Sequence, residues 1–455
     1  MSNILPNALV RKLGANPYFD EQAFLDAHAN GNKLTSIRLN PFKRTSFDFN
    51  LDNPVAWCDL GYYLNTRPKF TLDPLFHAGC YYVQEASSMF IAHILSHLGL
   101  EDDPIKALDL CAAPGGKSTL LNSYLNPKSF LVANEIIKAR ASILQDNLVR
   151  WGMLNTAVSN NDPSAFKRLP GFFDLVMVDA PCSGSGMFRK DEDSIDEWSE
   201  AAVKLCSERQ KRILADMMAC LASYGTLIYS TCSYSEEENE AIVDWLMDEY
   251  AFESIQIPIQ DSWGMEETKS TKHQGFGYRF YPHQVEGEGF FVAVLKLKDV
   301  QPSFALKKLK VEKPAVDFNM VKQWMNAGHE LATLVHNDEV HVFLKEHELF
   351  VKAIQQVLYL KNVGTNIGKW MGRELLPSHD LAMSIYLNDD IQSVELDLNS
   401  AQDYLRKETL PIDYFSNASK GWCLVKYKGI SLGGVKALGN RINNYYPKEL
   451  RITNL

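Results

Sequence analysis

A carboxylate and a thiol follow directly after a short apolar run in the middle of the chain. Residues 175–178 read Leu-Val-Met-Val, the pattern of a buried strand, and Asp179 and Cys182 come next. Gly184 and Gly186 permit tight backbone geometry and the close approach of another segment. In an open α/β sheet, ligands bind at the carboxyl ends of the strands, so this stretch suggests chemistry. Taken alone, an ordinary turn with a small buried cysteine explains it equally well.

Two further stretches favour a functional site. Residues 225–231 form another apolar strand pattern that ends at Cys232, so neighbouring parallel strands would place two thiols over one site. Residues 105–118 read as a strand, a glycine turn and the start of a helix, which together present backbone amides to a ligand. This turn follows neither the GxxxxGK[ST] phosphate loop nor the GxGxxG dinucleotide loop.

These stretches resemble the signature of the Sun-type RNA cytosine-5 methyltransferases. The resemblance rests on the order and spacing of five motifs: Asp109–Lys117, Asp179–Gly186, Ser230–Ser233, Tyr82–Met89 and Gly287–Phe291. With its long carboxy-terminal extension, the whole chain looks most like the bacterial F-type branch of that family, which acts on 16S ribosomal RNA.

The order of strand and helix patterns predicts the fold of the central region. Residues 79–298 alternate apolar strands with helical segments, notably 138–151 and 200–221, which favours a doubly wound parallel sheet. Phe290–Leu297 follows a loop without an obvious helix. The resemblance identifies it as the antiparallel seventh strand of a class I, Rossmann-like S-adenosylmethionine-dependent methyltransferase domain.

The remaining residues divide into smaller units around this α/β core. Basic and aromatic residues are interleaved near the amino terminus, a mixture that suits phosphate contact and base stacking. The predicted units are an RNA-binding module (1–78), a linker (299–312), a small α+β domain (313–379) and a PUA-like RNA-binding domain (380–455). The PUA-like assignment comes from the resemblance.

Two patterns characterise the carboxy-terminal region. Within the small α+β domain, the spacing predicts a helix over 319–334 and a strand over 339–344. Residues 420–451 carry seven basic residues against one acid, with aromatic residues between them. This tail is therefore predicted to contact RNA.

Composition limits the class of protein. The 455 residues predict two to four domains, and no apolar run approaches the roughly 18 residues of a membrane span. The amino terminus lacks the pattern of a signal peptide. The eight cysteines lack zinc-type spacing, so no metal site is expected and reduced thiols in a cytoplasmic protein are the simplest interpretation.

Charge is distributed unevenly. The net charge of −10 argues against indiscriminate coating of nucleic acid. Acidic residues concentrate in 191–200 and 236–249, which read as solvated helix faces, whereas basic residues concentrate in 307–313 and 420–451. Local patches of this kind, rather than the total, determine a nucleic-acid footprint.

The resemblance implies S-adenosylmethionine as the cofactor. Glu135, at the end of the strand 130–133, is expected to accept the ribose hydroxyls, because a carboxylate accepts two donors at once. Asp162 is expected to contact the adenine, although an aspartate before proline is also typical of a turn. Arg140 either braces Glu135 or contacts the cofactor, or is simply an exposed helix residue. The loop expected around the methionine and ribose part comprises Cys111, Ala112, Ala113, Pro114, Gly115, Gly116 and Lys117.

The same resemblance assigns the chemistry. Carbon 5 of cytosine is a poor nucleophile, and addition of a thiolate to carbon 6 converts the ring into an enamine that attacks the sulfonium methyl. Cys232 is assigned as the nucleophile and Cys182 as the residue that assists product release; spacing alone does not decide between them. Asp179 is assigned to cytosine recognition beside the cofactor methyl. Lys190 either orients the base or binds phosphate.

Other functions remain open on the sequence. The same chemistry on tRNA fits the motifs as well. A non-catalytic ribosome-assembly factor that binds RNA would be expected to lack Cys232 or the glycine loop, and neither is missing. The expected partner is ribosomal RNA or the small ribosomal subunit, with no membrane contact and a monomeric chain. A target base must be unstacked to reach the thiols.

Overall fold

The computed structural model describes residues 5–16, 19–31, 33–305, 321–326, 328, 330–336, 338–371 and 374–453. The amino-terminal region is a small antiparallel sheet, with strand order β2-β3-β1-β4, preceded by two helices. The predicted boundary after residue 78 falls between β3 and β4 of this one sheet. Its elements are α1 (Asn7–Leu13), α2 (Glu21–Asn30), β1 (Thr35–Leu39), β2 (Asn53–Val55), β3 (Cys58–Leu64), α3 (Pro74–His77), β4 (Tyr81–Val83) and then α4 (Phe90–His97).

The central region forms a ten-stranded sheet with helices between its strands. Its strands up to residue 297 are β5 (Lys106–Asp109), β6 (Phe130–Asn134), β7 (Thr156–Ser159), β8 (Phe173–Asp179), β9 (Leu221–Thr231), β10 (Phe252–Ser254), β11 (Glu266–Lys269), β12 (Phe276–Phe280) and β13 (Phe290–Leu297). Its helices are α5 (Gly116–Tyr124), α6 (Lys138–Trp151), α7 (Asp193–Glu197), α8 (Glu200–Met217) and α9 (Glu240–Glu249).

The pairing of these strands agrees with the doubly wound sheet expected from the sequence. β9, β8, β5, β6 and β7 are parallel neighbours in that order. β13 pairs antiparallel with β9, which confirms the predicted antiparallel last strand. β10 and β12 each pair with β13 as well.

Alternate residues of the central strands face two separate apolar clusters. Leu108 and Val176 belong to one cluster, whereas their neighbours Ala107 and Leu175 belong to the other. This explains why these strands are continuous apolar runs rather than alternating ones, since a parallel sheet is covered on both faces. The helix predicted over 200–221 ends at Met217, because Leu221 already pairs with Phe173 as the first residue of β9.

The carboxy-terminal residues form two further four-stranded sheets. One has the order β14-β15-β17-β18, and the other has the order β19-β20-β21-β22 with β19 parallel to β20. The elements are β14 (Leu331–His336), β15 (Glu339–Leu344), α10 (Glu348–Gln355), β16 (Leu360–Val363), β17 (Thr365–Met371), β18 (Glu374–Pro377), α11 (His379–Met383), β19 (Ser393–Glu395), α12 (Leu398–Leu405), β20 (Gly421–Tyr427), β21 (Ile430–Ala437) and β22 (Ile442–Asn444).

The strand predicted over 339–344 is confirmed, but the helix predicted over 319–334 is wrong: among its described residues only 321 and 322 are helical. Leu331–His336 is extended because every residue of β14 pairs with β15. Residues 319 and 320, like the end of the predicted linker, lie outside the described residues.

One strand of the carboxy-terminal half completes the central sheet. β16 pairs antiparallel with β7, the outermost parallel strand. Beside it, the ring of Phe350 stacks on Phe172 with centroids 4.9 Å apart and lies 4.8 Å from Phe130. Residues of the predicted small α+β domain therefore share a hydrophobic core with the methyltransferase region.

The amino-terminal sheet and the last sheet also share a core, which includes Ile37, Tyr81, Tyr404 and Val425. The Gln402 side chain adds a 2.9 Å hydrogen bond to the Leu72 carbonyl. Among the described residues, no helix combines the length and the apolar character needed to cross a membrane.

Candidate active site

The two cysteines singled out in the sequence meet at the carboxyl edge of the central sheet. β8 ends at Asp179 and β9 ends at Thr231, and the parallel register pairs Asp179 with Ser230. The loops that follow bring the Cys182 and Cys232 sulfurs to 3.0 Å from each other. Both are free thiols with partial exposure. The hydrogen bond between the sulfurs, together with burial, raises the pKa of Cys182 well above its usual value.

A backbone crossing holds the two cysteine loops against a third segment. The Gly186 amide donates to the Cys232 carbonyl at 2.8 Å, and the Gly289 amide donates to the Gly186 carbonyl at 3.1 Å. A Cβ atom on Gly186 would lie 2.5 Å from the Gly289 carbonyl oxygen, so a side chain does not fit there. The close approach predicted for Gly186 is thus confirmed. The crossing joins three of the five motifs, those over 179–186, 230–233 and 287–291.

Asp179 forms an ion pair that is partly exposed. Its Oδ2 lies 2.8 Å from Lys117 Nζ, and its Oδ1 accepts a 2.7 Å hydrogen bond from Ser230. Burial lowers the pKa of Lys117, but the Asp179 carboxylate outweighs this effect, so the pKa lies above its usual value. The Asp179 side chain retains 32% exposure and is therefore accessible to a ligand.

The glycine loop after β5 is organised by its own backbone and by Arg140. Gly115 has a φ of +116° and precedes the first residue of α5, a conformation that favours glycine. Arg140 Nη2 donates to the Ala113 carbonyl at 2.9 Å, and its Nη1 lies 3.5 Å from Glu135 Oε2. Of the readings proposed for Arg140, the structure shows the brace between the loop and Glu135.

Two buried carboxylates border this loop. Glu135 is 4% exposed, and its Oε1 accepts a 2.8 Å hydrogen bond from the Ile137 amide. Asp109 is fully buried, and its Oδ2 accepts a 2.6 Å hydrogen bond from Ser118. Asp109 Oδ1 has no hydrogen-bond partner among the described residues. Burial raises the pKa of Asp109 to about 7.

Asp162 and Lys190 lie outside the thiol cluster. Asp162 is exposed, and its Oδ1 accepts hydrogen bonds from the amide and the hydroxyl of Ser164 at 2.9 and 2.6 Å. This is the turn role typical of an aspartate before proline. Lys190 is exposed and lines a neighbouring cleft of about 640 Å³ together with Glu85 and Glu288.

Sequence reasoning missed two buried charged residues that support the site. Arg38, on β1, is fully buried and donates to Thr119 at 2.6 Å and to the Gly116 carbonyl at 3.2 Å. These bonds attach the amino-terminal sheet to α5, the helix that follows the glycine loop. Glu238 is also fully buried, although the acidic run around it reads as a solvated face. The partners of Arg38 are distant in sequence, and Glu238 becomes buried only when Ser183 and Gln210 of other segments pack against it.

Three family models match the chain. Residues 5–86 match the "N-terminal domain of 16S rRNA methyltransferase RsmF", residues 96–296 match "16S rRNA methyltransferase RsmB/F", and residues 391–452 match the "Methyltransferase RsmF PUA domain". The matched ranges cover the first, central and last sheets of the structure.

Curated relatives align along most of the chain. "Ribosomal RNA small subunit methyltransferase F" of Erwinia tasmaniensis is 30% identical in an alignment 436 positions long, which covers 91% of this chain and 90% of the relative. The protein of the same name from Vibrio parahaemolyticus is 31% identical in an alignment 445 positions long, which covers 91% of each chain.

Solved structures share the fold. A crystal structure described as NSun6 from Pyrococcus horikoshii with SFG has a TM-score of 0.54 at 18% identity and covers 65% of this chain and 98% of that one. A "Methyltransferase Homolog Protein" from the same organism has a TM-score of 0.51 at 26% identity and covers 64% of this chain and 100% of that one.

Proposed function

The chain belongs to the family of small-subunit ribosomal RNA methyltransferases F, and on that premise we propose that it methylates carbon 5 of a cytosine in 16S ribosomal RNA. It is an S-adenosylmethionine-dependent RNA methyltransferase. The observation that supports the cytosine chemistry best is the pair of thiols, 3.0 Å apart, beside the Asp179–Lys117 ion pair.

The residues around the glycine loop fit S-adenosylmethionine. The buried Glu135 carboxylate suits ribose hydroxyls, and the unpartnered Asp109 Oδ1 is an acceptor for a donor group of the cofactor. The left-handed Gly115 lets the backbone approach the ligand closely. We retain Asp162 as the proposed adenine contact, because it follows β7 at the same edge of the sheet. When bound, the cofactor supplies an electrophilic methyl group.

Cys232 is proposed as the nucleophile. Its thiolate adds to carbon 6 of the cytosine, and the electron density that this addition moves into the ring makes carbon 5 able to attack a methyl group. We propose that the Cys182 thiol, 3.0 Å away, donates its hydrogen to Cys232 Sγ and so stabilises that thiolate. The raised pKa of Cys182 supports this direction. A base then takes the carbon 5 proton, the electron pair of that bond restores the double bond between carbons 5 and 6, and Cys232 leaves as a thiolate. Cys182 is proposed to assist this release.

Asp179 and Lys117 are proposed to hold the base. The Asp179 carboxylate accepts a hydrogen bond from the exocyclic amine, and the neighbouring Lys117 ammonium is a donor for the ring positions that gain electron density. Because both side chains are fixed on one another at 2.8 Å, they need little rearrangement when the base enters.

The flanking regions are proposed to bring the RNA to the site. Basic and aromatic residues of the PUA domain supply phosphate contacts and stacking surfaces. We further propose that the chain acts as a cytoplasmic monomer on the small subunit or its RNA. The alternative is that the chain transfers the methyl group to tRNA instead of 16S ribosomal RNA.

Methylation assays on matched RNAs test this function. Purified protein with radiolabelled S-adenosylmethionine should label 16S ribosomal RNA, and bisulfite sequencing of RNA from a deletion strain should show the loss of a protected cytosine there. Label on tRNA alone, with unchanged 16S protection in the deletion strain, would contradict the proposed substrate.

A further inference from the structure

A buried carboxylate joins the two cysteine loops, and the chemistry proposed above does not use it. Glu238 Oε1 accepts a 2.8 Å hydrogen bond from the Ser183 amide, and Oε2 accepts from the Ser183 hydroxyl at 2.5 Å. The same Oε2 accepts from the Ser233 hydroxyl at 2.6 Å. Ser183 and Ser233 each follow one of the two cysteines directly in the sequence, so this side chain contacts both loops at the residue next to the thiol.

Further bonds fix Glu238 itself. The Tyr229 hydroxyl donates to the Glu238 carbonyl at 2.6 Å, which holds this backbone against β9. The side-chain amide of Gln210, on α8, donates to the Pro181 carbonyl at 3.1 Å and to Glu238 Oε1 at 3.3 Å. The carboxylate is therefore held between the sheet and a long helix rather than at the end of a mobile side chain.

Burial of the Glu238 carboxylate is energetically unfavourable. Burial raises the pKa of Glu238, because desolvation outweighs the hydrogen bonds that Ser183 and Ser233 donate. Replacing a buried hydrogen-bonded group together with its partners by apolar groups of similar shape can be nearly neutral for stability. A role in core stability alone thus does not explain why a charged group, rather than an apolar one, spans the two loops.

The geometry points to a role in placing the thiols. We propose that Glu238 is a positioning residue that holds the Cys182 loop against the Cys232 loop and so sets the distance between the two sulfurs. Without it, the loops retain the backbone crossing at Gly186, the 2.9 Å bond from the Tyr234 amide to the Ser185 hydroxyl and the 3.3 Å contact between the Ser183 and Ser233 hydroxyls. Glu238 fixes those two hydroxyls beside each other, because it accepts from both. This inference rests on the proposed function only for its catalytic consequence, since the spacing of the sulfurs is measurable without RNA.

The spacing is tested by the rate at which the oxidant diamide closes a Cys182–Cys232 disulfide in the folded full-length protein. Diamide takes up the two thiol hydrogens as the sulfur–sulfur bond forms, and mass spectrometry after alkylation identifies the pair. In Glu238→Ala, closure should slow by about 10- to 100-fold, since a displacement near 1 Å has effects of that order. Glu238→Gln keeps the bridge through its amide and should close within about 3-fold of the wild-type rate. Glu236→Gln, an exposed neighbour that loses the same charge, should match the wild type.

Methyl transfer provides the second readout. Glu238→Ala should lose about 100-fold in kcat with KM for S-adenosylmethionine within about 2-fold, because the cofactor residues are untouched. If Glu238→Ala does not fold, the double variant Ser183→Ala/Ser233→Ala removes the hydroxyl tethers and should show the same two changes. Wild-type rates of disulfide closure in the folded variants would overturn the proposal, whatever RNA the enzyme modifies. Slowed closure with unchanged kcat would also overturn it, because the thiol spacing would then not matter for the reaction.

Discussion

The carboxyl edge of β8 and β9 and the outer edge of β7 belong to one sheet, but they are completed in different ways. At the first, the loops after the two strands bring the Cys182 and Cys232 thiols together and leave both partly exposed. At the second, β16 from the carboxy-terminal half pairs along β7, and Phe350 covers the core beside it. One edge is kept accessible for chemistry, whereas the other is closed for stability.

This difference predicts opposite effects of substitution. Changes at the thiol edge should alter the reaction while leaving the free energy of unfolding nearly constant. Changes at the closed edge should lower stability while the folded protein keeps its rate. A residue that affects both quantities would show that the two edges are coupled.

Cys232→Ala should have the largest effect. Removal of the proposed nucleophile abolishes the covalent route, so methyl transfer should fall by at least about 1,000-fold, with the melting temperature nearly unchanged. Filter assays of methyl incorporation and thermal unfolding measure the two quantities. Cys206→Ala, a partly exposed cysteine on α8, is the control and should keep its activity. If Cys232→Ala kept more than one tenth of the wild-type activity, the thiol edge would not carry the reaction through Cys232.

Asp109, at the end of β5 beside the thiol edge, is an exception to this division, because its buried carboxyl group should make stability depend on pH. Its pKa is about 7 in the folded protein and about 4 in an unfolded chain, so the folded state binds the extra proton between these values. Stability should therefore fall as pH rises from about 4 to 7, by up to about 4 kcal/mol, and Asp109→Asn should remove this part of the slope. Urea unfolding of the cofactor-free protein across this range measures the difference, and parallel profiles would contradict the assignment.

Phe350→Ala should act only at the closed edge. Loss of its contacts with Phe172 and Phe130 should lower the free energy of unfolding by about 2–4 kcal/mol. Its neighbour Leu349 is 61% exposed, and Leu349→Ala should change stability by less than about 0.5 kcal/mol. Denaturant titrations of the pair give the comparison. Equal effects of the two substitutions would mean that the α10 helix does not seal this core.

Glu135→Ala tests cofactor binding at the same carboxyl edge of the sheet, separately from the reaction of the thiols. Loss of charge-assisted hydrogen bonds to the ribose, about 1.5–3 kcal/mol, should weaken S-adenosylmethionine binding by roughly 10- to 150-fold. RNA affinity should remain close to that of the wild type. Calorimetric titration with the cofactor and filter binding with RNA separate these effects, and unchanged cofactor affinity would remove Glu135 from the site.

The two edges also differ in how far the sequence predicts them. Asp179, Cys182 and Cys232 follow apolar strands, so a local pattern places them at one edge of a parallel sheet, and the structure brings the sulfurs together. β16 has no such signal, because what makes it a strand of the central sheet is its pairing with β7, far earlier in the chain. The role of Glu238 was missed for a related reason: an acidic run looks solvated until the fold brings Ser183 of the other cysteine loop to it, beside the nearby Ser233.

Covalent trapping tests the central claim most directly. If Cys232 attacks the cytosine and Cys182 assists its release, Cys182→Ala protein incubated with substrate RNA and S-adenosylmethionine should accumulate a covalent protein–RNA species. That species should appear as a slow band in denaturing gels, with Cys232 as the modified residue by mass spectrometry, and the Cys182→Ala/Cys232→Ala double variant should not form it. Trapped RNA in Cys232→Ala, and none in Cys182→Ala, would reverse the two roles and contradict this account.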